Sequence, residues 1–211
     1  SPPNKEVFTR WFQQTALSSV MQIGTATNDV AWEFSADTGF DEEMLGWYRR
    51  YTRLHLRLFP YEWTYAKRIL VDGRPIQRPI GLQKPDLGNH GWETYFFGDD
   101  LLVAPVVRAG QREQTVTFPD GTWFDWWTGE AIEGGVDRVV DAPLDTLPLY
   151  LRAGGIVPML RPTIDTLAPT DMPYQVDSLD TEPGLLYARI GVGSSGEFEL
   201  YDGTVISMQE A

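Results

Sequence analysis

Between residues 4 and 17, Val7, Phe8, Trp11 and Phe12, with Thr15, recur at spacings of three and four, the period of a helix with one buried face. Asn4 stands where an N-cap belongs. The next run, Ser19-Val20-Met21-Gln22-Ile23, is short, mostly apolar and closed by Gly24, the pattern of a buried strand entering a loop. Residues 24–39 are expected to be irregular. From Asp41 a second helical stripe carries Met44, Leu45, Tyr48, Tyr51, His55, Leu58 and Tyr65 on one face, to about Leu70. Pro60 falls inside it and should kink or split it, because proline removes a backbone donor and clashes with the preceding turn.

After Asp72-Gly73 the helical period gives way to short apolar runs separated by Gly, Pro and Asp. Strands are expected at 76–82, 94–97, 101–107, 113–118, 122–127, 138–141, 148–152 and 156–159. Short strands this close together predict an antiparallel sandwich or barrel. Pro119-Asp120-Gly121-Thr122 and Ala153-Gly154-Gly155 supply tight turns. Residues 161–184 read as a connector. Three last strands, at 185–190, 197–201 and 204–208, are too few to hold a sheet alone and must add to something else. The expected fold is mainly β: an antiparallel β-sandwich preceded by a helical segment.

Composition narrows the function classes. The 211 residues, 42% hydrophobic and 22% charged, suit a globular chain. Thirty acidic against 17 basic residues give a net charge of −13, the wrong sign for gripping polyphosphate, so neither nucleic acid nor an anionic membrane is an expected partner. No apolar run approaches the roughly 18 residues of a membrane span, and Ser1-Pro2-Pro3-Asn4-Lys5 does not read as a signal peptide, so the chain reads as soluble with no compartment assigned. Cysteine is absent, which excludes disulfides and thiolate chemistry. With only His55 and His90, and no paired-ligand spacing, no metal centre is expected. Eight Trp, nine Tyr and ten Phe suit either a sandwich core or a sugar-stacking cleft.

The motifs come in a fixed order. They begin with Glu6-Val7-Phe8-Thr9-Arg10-Trp11-Phe12-Gln13 and Ala16, then Leu58-Phe59-Pro60-Tyr61-Glu62-Trp63-Thr64-Tyr65-Ala66, then Arg78-Pro79. Phe97-Gly98-Asp99-Asp100-Leu101-Leu102-Val103-Ala104-Pro105-Val106 and Pro119-Asp120-Gly121-Thr122-Trp123-Phe124-Asp125-Trp126-Trp127-Thr128-Gly129 follow. Last come Ala142-Pro143-Leu144-Asp145 and Pro148-Leu149-Tyr150-Leu151-Arg152-Ala153-Gly154-Gly155-Ile156-Val157-Pro158. Together they resemble the C-terminal part of glycoside hydrolase family 31, the family of α-glucosidases and α-xylosidases.

That resemblance implies that residues 1–72 are the last piece of a (β/α)8 catalytic barrel, two helices and its eighth strand at 19–23. It makes 73–165 a proximal β-sandwich, and 166–211 a connector with the start of a distal β-domain. The implied activity is hydrolysis of α-linked glycosides with retention, by two carboxylates about 5 to 5.5 Å apart, without metal or organic cofactor. The family's catalytic aspartates sit on earlier barrel strands, in motifs of the type Trp-x-Asp-x-Asn-Glu and Gly-Asp, neither of which occurs in the barrel-like residues 1–72. A full barrel needs about 250 residues, so the dyad is expected upstream of Ser1. The chain itself is then inactive and braces the barrel, with the rest of that barrel and an oligosaccharide or glycoside as partners. Where the family often has Met-Arg-x-His, this sequence reads Met21-Gln22-Ile23-Gly24. Gln22, Thr25, Thr27 and Asn28 are therefore the candidate hydrogen-bond partners of sugar hydroxyls.

Other polar groups have plainer readings. Asp41-Glu42-Glu43 suits the positive end of a helix, Asp99-Asp100 a turn, His55 a hydrogen-bonded core position and His90 the surface. Alternation sends Trp123 away from Trp126, so that of Trp123, Trp126 and Trp127 at least one can be core while another lies at the surface, with core or interdomain packing as the first role and carbohydrate stacking as its rival. The rival for the whole chain is a standalone noncatalytic carbohydrate-binding or scaffold protein, which would have to cover the edges of an unpaired barrel strand. An unrelated sandwich hydrolase lacks a nucleophile motif.

Overall fold

The computed structural model describes residues 4–22, 30–88 and 93–210. Helix α1 (Lys5–Thr15) starts at Asn4, whose side chain accepts the Val7 N–H at 2.9 Å. It buries Phe8 and Phe12; Phe8 stacks on Phe40 at 4.9 Å, and Phe12 meets Tyr48 edge-on at 5.4 Å. Helix α2 (Glu42–Arg57) is capped by Asp41, which accepts the Met44 N–H at 2.9 Å and pairs with Lys5 at 2.6 Å. Capping and the helix dipole thus account for the acidic cluster at its start.

Pro60 splits the long helical stripe as expected. Helix α3 (Phe59–Asp72) begins next to Leu58, and its proline lies in the first turn, where a missing N–H breaks no bond. Gly73, at φ +71°, ends it. Residues 19–22 form no strand, contrary to expectation. A parallel barrel strand is held by neighbours on both sides, and none of the described strands lies beside it.

Beyond α3 the chain is antiparallel β-structure. Strand β1 (Gln77–Pro79) stops at a proline and turns into the short helix α4 (Ile80–Gln83), so the expected strand at 76–82 is divided. There follow β2 (Tyr95–Phe97), β3 (Leu101–Val103), β4 (Glu113–Phe118), β5 (Thr122–Asp125), β6 (Ala131–Glu133), β7 (Val136–Asp141) and β8 (Leu149–Arg152). A six-stranded sheet runs β1-β2-β3-β8-β5-β6, every pair antiparallel, while β4 and β7 form a separate ribbon.

The sheet is covered on both faces, which explains why β3 reads as an unbroken apolar run. Phe97, Leu101, Val103, Leu149 and Leu151 face the cluster built with α1, α2 and α3. Phe96, Leu102, Trp123 and Tyr150 face Val116 and Phe118 of the ribbon. Each of these buried side chains contributes about 1.5–3 kcal/mol of transfer free energy. The molecule therefore has three layers: helices, sheet, ribbon. Strand β9 (Ile156–Met159) pairs with β10 (Tyr187–Ile190), and the hairpin of β11 (Gly196–Glu199) and β12 (Val205–Met208) lays Phe198 on Tyr61 at 5.4 Å. The last strands do join an existing core. Among the described residues no helix is long and apolar enough to cross a membrane.

Candidate functional site

Of the four sequence-derived sugar contacts, Gln22 is exposed at the end of the 19–22 segment. Thr25, Thr27 and Asn28 lie outside the described residues, as does His90. Nothing in the described structure gathers these residues into a site. What the helical segment does present is a pair of buried polar joints with the sheet.

At the first joint, the Pro-Tyr motif of α3 meets the Gly-Asp-Asp turn between β2 and β3. Tyr61 donates its hydroxyl to the Phe97 carbonyl at 3.1 Å and accepts the Asp100 N–H at 3.2 Å. Tyr65 donates to Asp99 at 3.0 Å and accepts the Asp99 N–H at 2.8 Å. Gly98, at φ +66°, must be glycine on two counts: the left-handed backbone, and a Cβ that would stand 2.1 Å from the Tyr61 oxygen.

The two carboxylates of this turn are pushed apart electrostatically. Burial raises Asp99, but the Arg78 guanidinium at 2.8 Å, with Tyr65 and Gln83 donating, holds it below the usual carboxylate range. Asp100 is only 3% exposed, and burial lifts it to about 6 although Arg152 lies 2.7 Å away. A raised acid beside a lowered one is the electrostatic signature of an acid/base pair. Here Asp100 is buried and Asp99 half-buried, and both are engaged by arginines and tyrosines, which fits a structural junction.

At the second joint, α1 sends Arg10 and Gln13 into the loop before β8. Arg10 donates to the carbonyls of Ala142 at 2.6 Å, Thr146 at 3.0 Å and Gln111 at 3.3 Å. Gln13 donates to the Leu144 carbonyl at 2.7 Å. Burial lowers the Arg10 pKa. From α2, Tyr51 donates to the Asp145 carbonyl at 3.1 Å and accepts the Leu147 N–H at 2.8 Å. Sequence motifs far apart in the chain thus meet in space: Arg10 with Ala142-Pro143-Leu144-Asp145, and Pro60-Tyr61 with Gly98-Asp99-Asp100.

An open cleft of about 590 Å³ runs along the α1 side of the sheet, with Val7, Trp11, Tyr95, Val106 and Val107 in its walls. Its carboxylates are committed: Glu6 to Arg112 at 2.5 Å, which holds it below its ordinary value, and Glu93 to Arg108 at 2.9 Å. Trp123 and Trp126 are both buried, in opposite clusters, as alternation requires. His55 contacts the Ala16 carbonyl at 3.2 Å and Glu62 at 3.3 Å, a hydrogen-bonded but half-buried position. Among the described residues no group of His, Cys, Asp and Glu could hold a metal ion.

Residues 73–157 match the model of the Glycosyl hydrolase family 31 C-terminal domain. The chain belongs to glycoside hydrolase family 31. Among family 31 relatives it is similar to an α-xylosidase of Saccharolobus solfataricus, at 31% identity over 201 residues, covering 93% of this chain and 25% of the relative. A solved structure of the cycloalternan-forming enzyme from Listeria monocytogenes, in complex with pentasaccharide substrate, superposes with a TM-score of 0.80 at 29% identity, covering 99% of this chain and 21% of that one. The family 31 α-xylosidase of Xanthomonas citri gives 0.76 at 27% identity, covering 93% and 20%. The chain thus spans a quarter or less of the length of these relatives. The family 31 match covers the sheet and ribbon, and the similarity to the relatives extends over the helices as well.

Proposed function

We propose that this chain is the C-terminal segment of a retaining α-glycosidase that hydrolyses α-glucosides or related α-glycosides. Residues 1–72 complete the end of its (β/α)8 barrel, residues 73–165 form the bracing sandwich, and 166–211 lead into a distal β-domain. The two catalytic aspartates lie on another part of the protein. The observation that carries this reading is the two-sided character of the helical segment. One face of α1 is fixed to the sheet side by Phe8, Phe12, Arg10 and Gln13. The other exposes Val7 and Trp11, and Val20, Trp32 and Phe34 in the following segment are exposed too. So much exposed apolar surface marks an interface, and the remainder of a barrel is the occupant that the relatives' length provides.

Bracing has a mechanistic use. Two carboxyl groups about 5 to 5.5 Å apart on either side of a glycosidic bond work only if the barrel holds them there. Buried hydrogen bonds to the sandwich fix the final helices. Gln22, Thr25, Thr27 and Asn28 would donate to and accept from sugar hydroxyls, taking the place of the charged contacts common in the family. No cofactor is needed for this chemistry. Burial of Trp123 and Trp126 takes these two rings out of any sugar-stacking platform.

The test is turnover of an aryl α-glucoside and an aryl α-xyloside. The natural-length protein should hydrolyse one of them, and Gln22→Ala in it should raise KM more than it lowers kcat. Residues 1–211 alone should be inert. Robust hydrolysis by stringently purified 1–211 would overturn the assignment.

A further inference from the structure

In a chain of net charge −13, a groove of about 400 Å³ between α2 and the turn after β5 is lined by Arg49, Arg50, Arg53 and Arg57 and by no carboxylate. Helical spacing stacks these arginines along one side of α2. Two of them are partly answered from outside: Arg50 has the Asp145 carboxylate at 3.9 Å, and Arg53 has Asp165 at 2.9 Å. Arg57 is half-buried and donates Nε–H to the Leu160 carbonyl at 3.2 Å. Arg189 lies over the Trp126 ring at 4.1 Å; burial lowers its pKa, the nearby Asp125 carboxylate opposes that shift and the nearby Arg57 adds to it. Among the described residues, Arg49, Arg57 and Arg189 have no carboxylate within 4.0 Å.

A second observation points to the same place. Gly46 lies inside α2, where glycine is unfavourable relative to alanine, yet a Cβ there would meet nothing within 4 Å. No contact within the chain calls for glycine. Gly46 lines this groove, where it leaves the helix backbone open to close approach.

We propose that this groove is an oxyanion-binding site that takes the phosphate or sulfate group of a ligand. Guanidinium forks match tetrahedral oxyanions in geometry and charge, and being weakly hydrated they tolerate a half-buried setting. Arg49 and Arg57 are the unanswered charges that hold the anion, with Arg53 shared between it and Asp165. Trp127 is covered by Arg50, whose guanidinium lies 5.0 Å from the ring, and Trp126 by Arg189. The ligand is therefore gripped by charge, without stacking on an aromatic face.

The experiment is calorimetric titration of the natural-length protein with inorganic phosphate and, separately, with inorganic sulfate, against sodium chloride at matched ionic strength. Saturable binding above the chloride reference is expected for at least one. Phosphate alone would assign phosphoryl ligands, and equal binding of both would assign any divalent oxyanion. Arg49→Glu, at an exposed position, reverses one charge of the groove and should weaken binding at least about tenfold. Arg57→Gln should weaken it similarly, and Arg74→Gln, outside the groove, should leave it unchanged. Absence of saturable binding, or affinity that Arg49→Glu and Arg57→Gln leave intact, would overturn the proposal.

Discussion

At one joint, α3 delivers two tyrosine hydroxyls to a turn whose two carboxylates answer two arginines. At the other, α1 delivers a single guanidinium to a loop that answers with carbonyls. Both satisfy buried polar groups at the seam between helices and sheet, but only the first contains groups that titrate near neutrality. Arginine stays charged throughout the accessible range, so the Arg10 joint should hold equally well from acid to alkali. The Asp99–Asp100 joint should not. Its Asp100, lifted to about 6 by burial, takes up a proton in the folded state that the unfolded chain, near 3.8, binds only in stronger acid. The folded state then holds more protons between those values, and the contribution of Asp100 to stability falls as pH rises from about 4 to about 6. Asp99, lowered by Arg78 against its burial, works in the opposite sense and stabilises above its unfolded value.

The largest expected effect comes from closing the space at the first joint. Gly98→Ala puts a Cβ against the Tyr61 oxygen at a left-handed backbone position, and urea unfolding should show a loss of about 4 kcal/mol. Next is the second joint. Arg10→Ala strips donors from the buried Ala142 carbonyl and the half-buried carbonyls of Thr146 and Gln111, and the loss should be about 3 kcal/mol, the same at pH 5 and pH 8. A pH-dependent loss there would erase the distinction between the joints.

Asp100→Asn sharpens the comparison further. Because the wild-type carboxylate becomes less favourable as it ionises, the cost of the substitution should shrink by about 2 kcal/mol between pH 4 and pH 7. Paired unfolding curves at the two pH values read this directly, and a cost that grew with pH would reverse the assigned sign. The smallest effect lies away from both joints. Gly46→Ala meets nothing within 4 Å, so it should raise the stability of the chain by about 0.5–1 kcal/mol.

The sequence made some of this readable and hid the rest for physical reasons. Strands β4 and β9 have the residue bounds that alternation and turn signals predict, 113–118 and 156–159. Strand β6 was not anticipated, because three mostly exposed residues between Gly129 and Gly134 carry no period. The segment at 19–22 reads as a strand but lacks the neighbours that would make it one. The joints were the least legible. Arg10 and Tyr61 are visible as motif residues, yet Arg10 bonds across 132 positions to Ala142 and Tyr61 across 36 to Phe97, and no local period encodes such pairings. Of the candidate sugar contacts, Gln22 is placed at the surface and the other three fall outside the described residues.

The central claim, that helices and sheet form one braced unit, is tested most directly by native-state amide hydrogen exchange resolved by residue. If the joints bind the layers together, amides of α2 and α3 should open with the same free energy as those of β2, β3 and β8, and Arg10→Ala should lower both sets together. Helices that exchange at a clearly lower free energy than the sheet, with the sheet unmoved by Arg10→Ala, would contradict it.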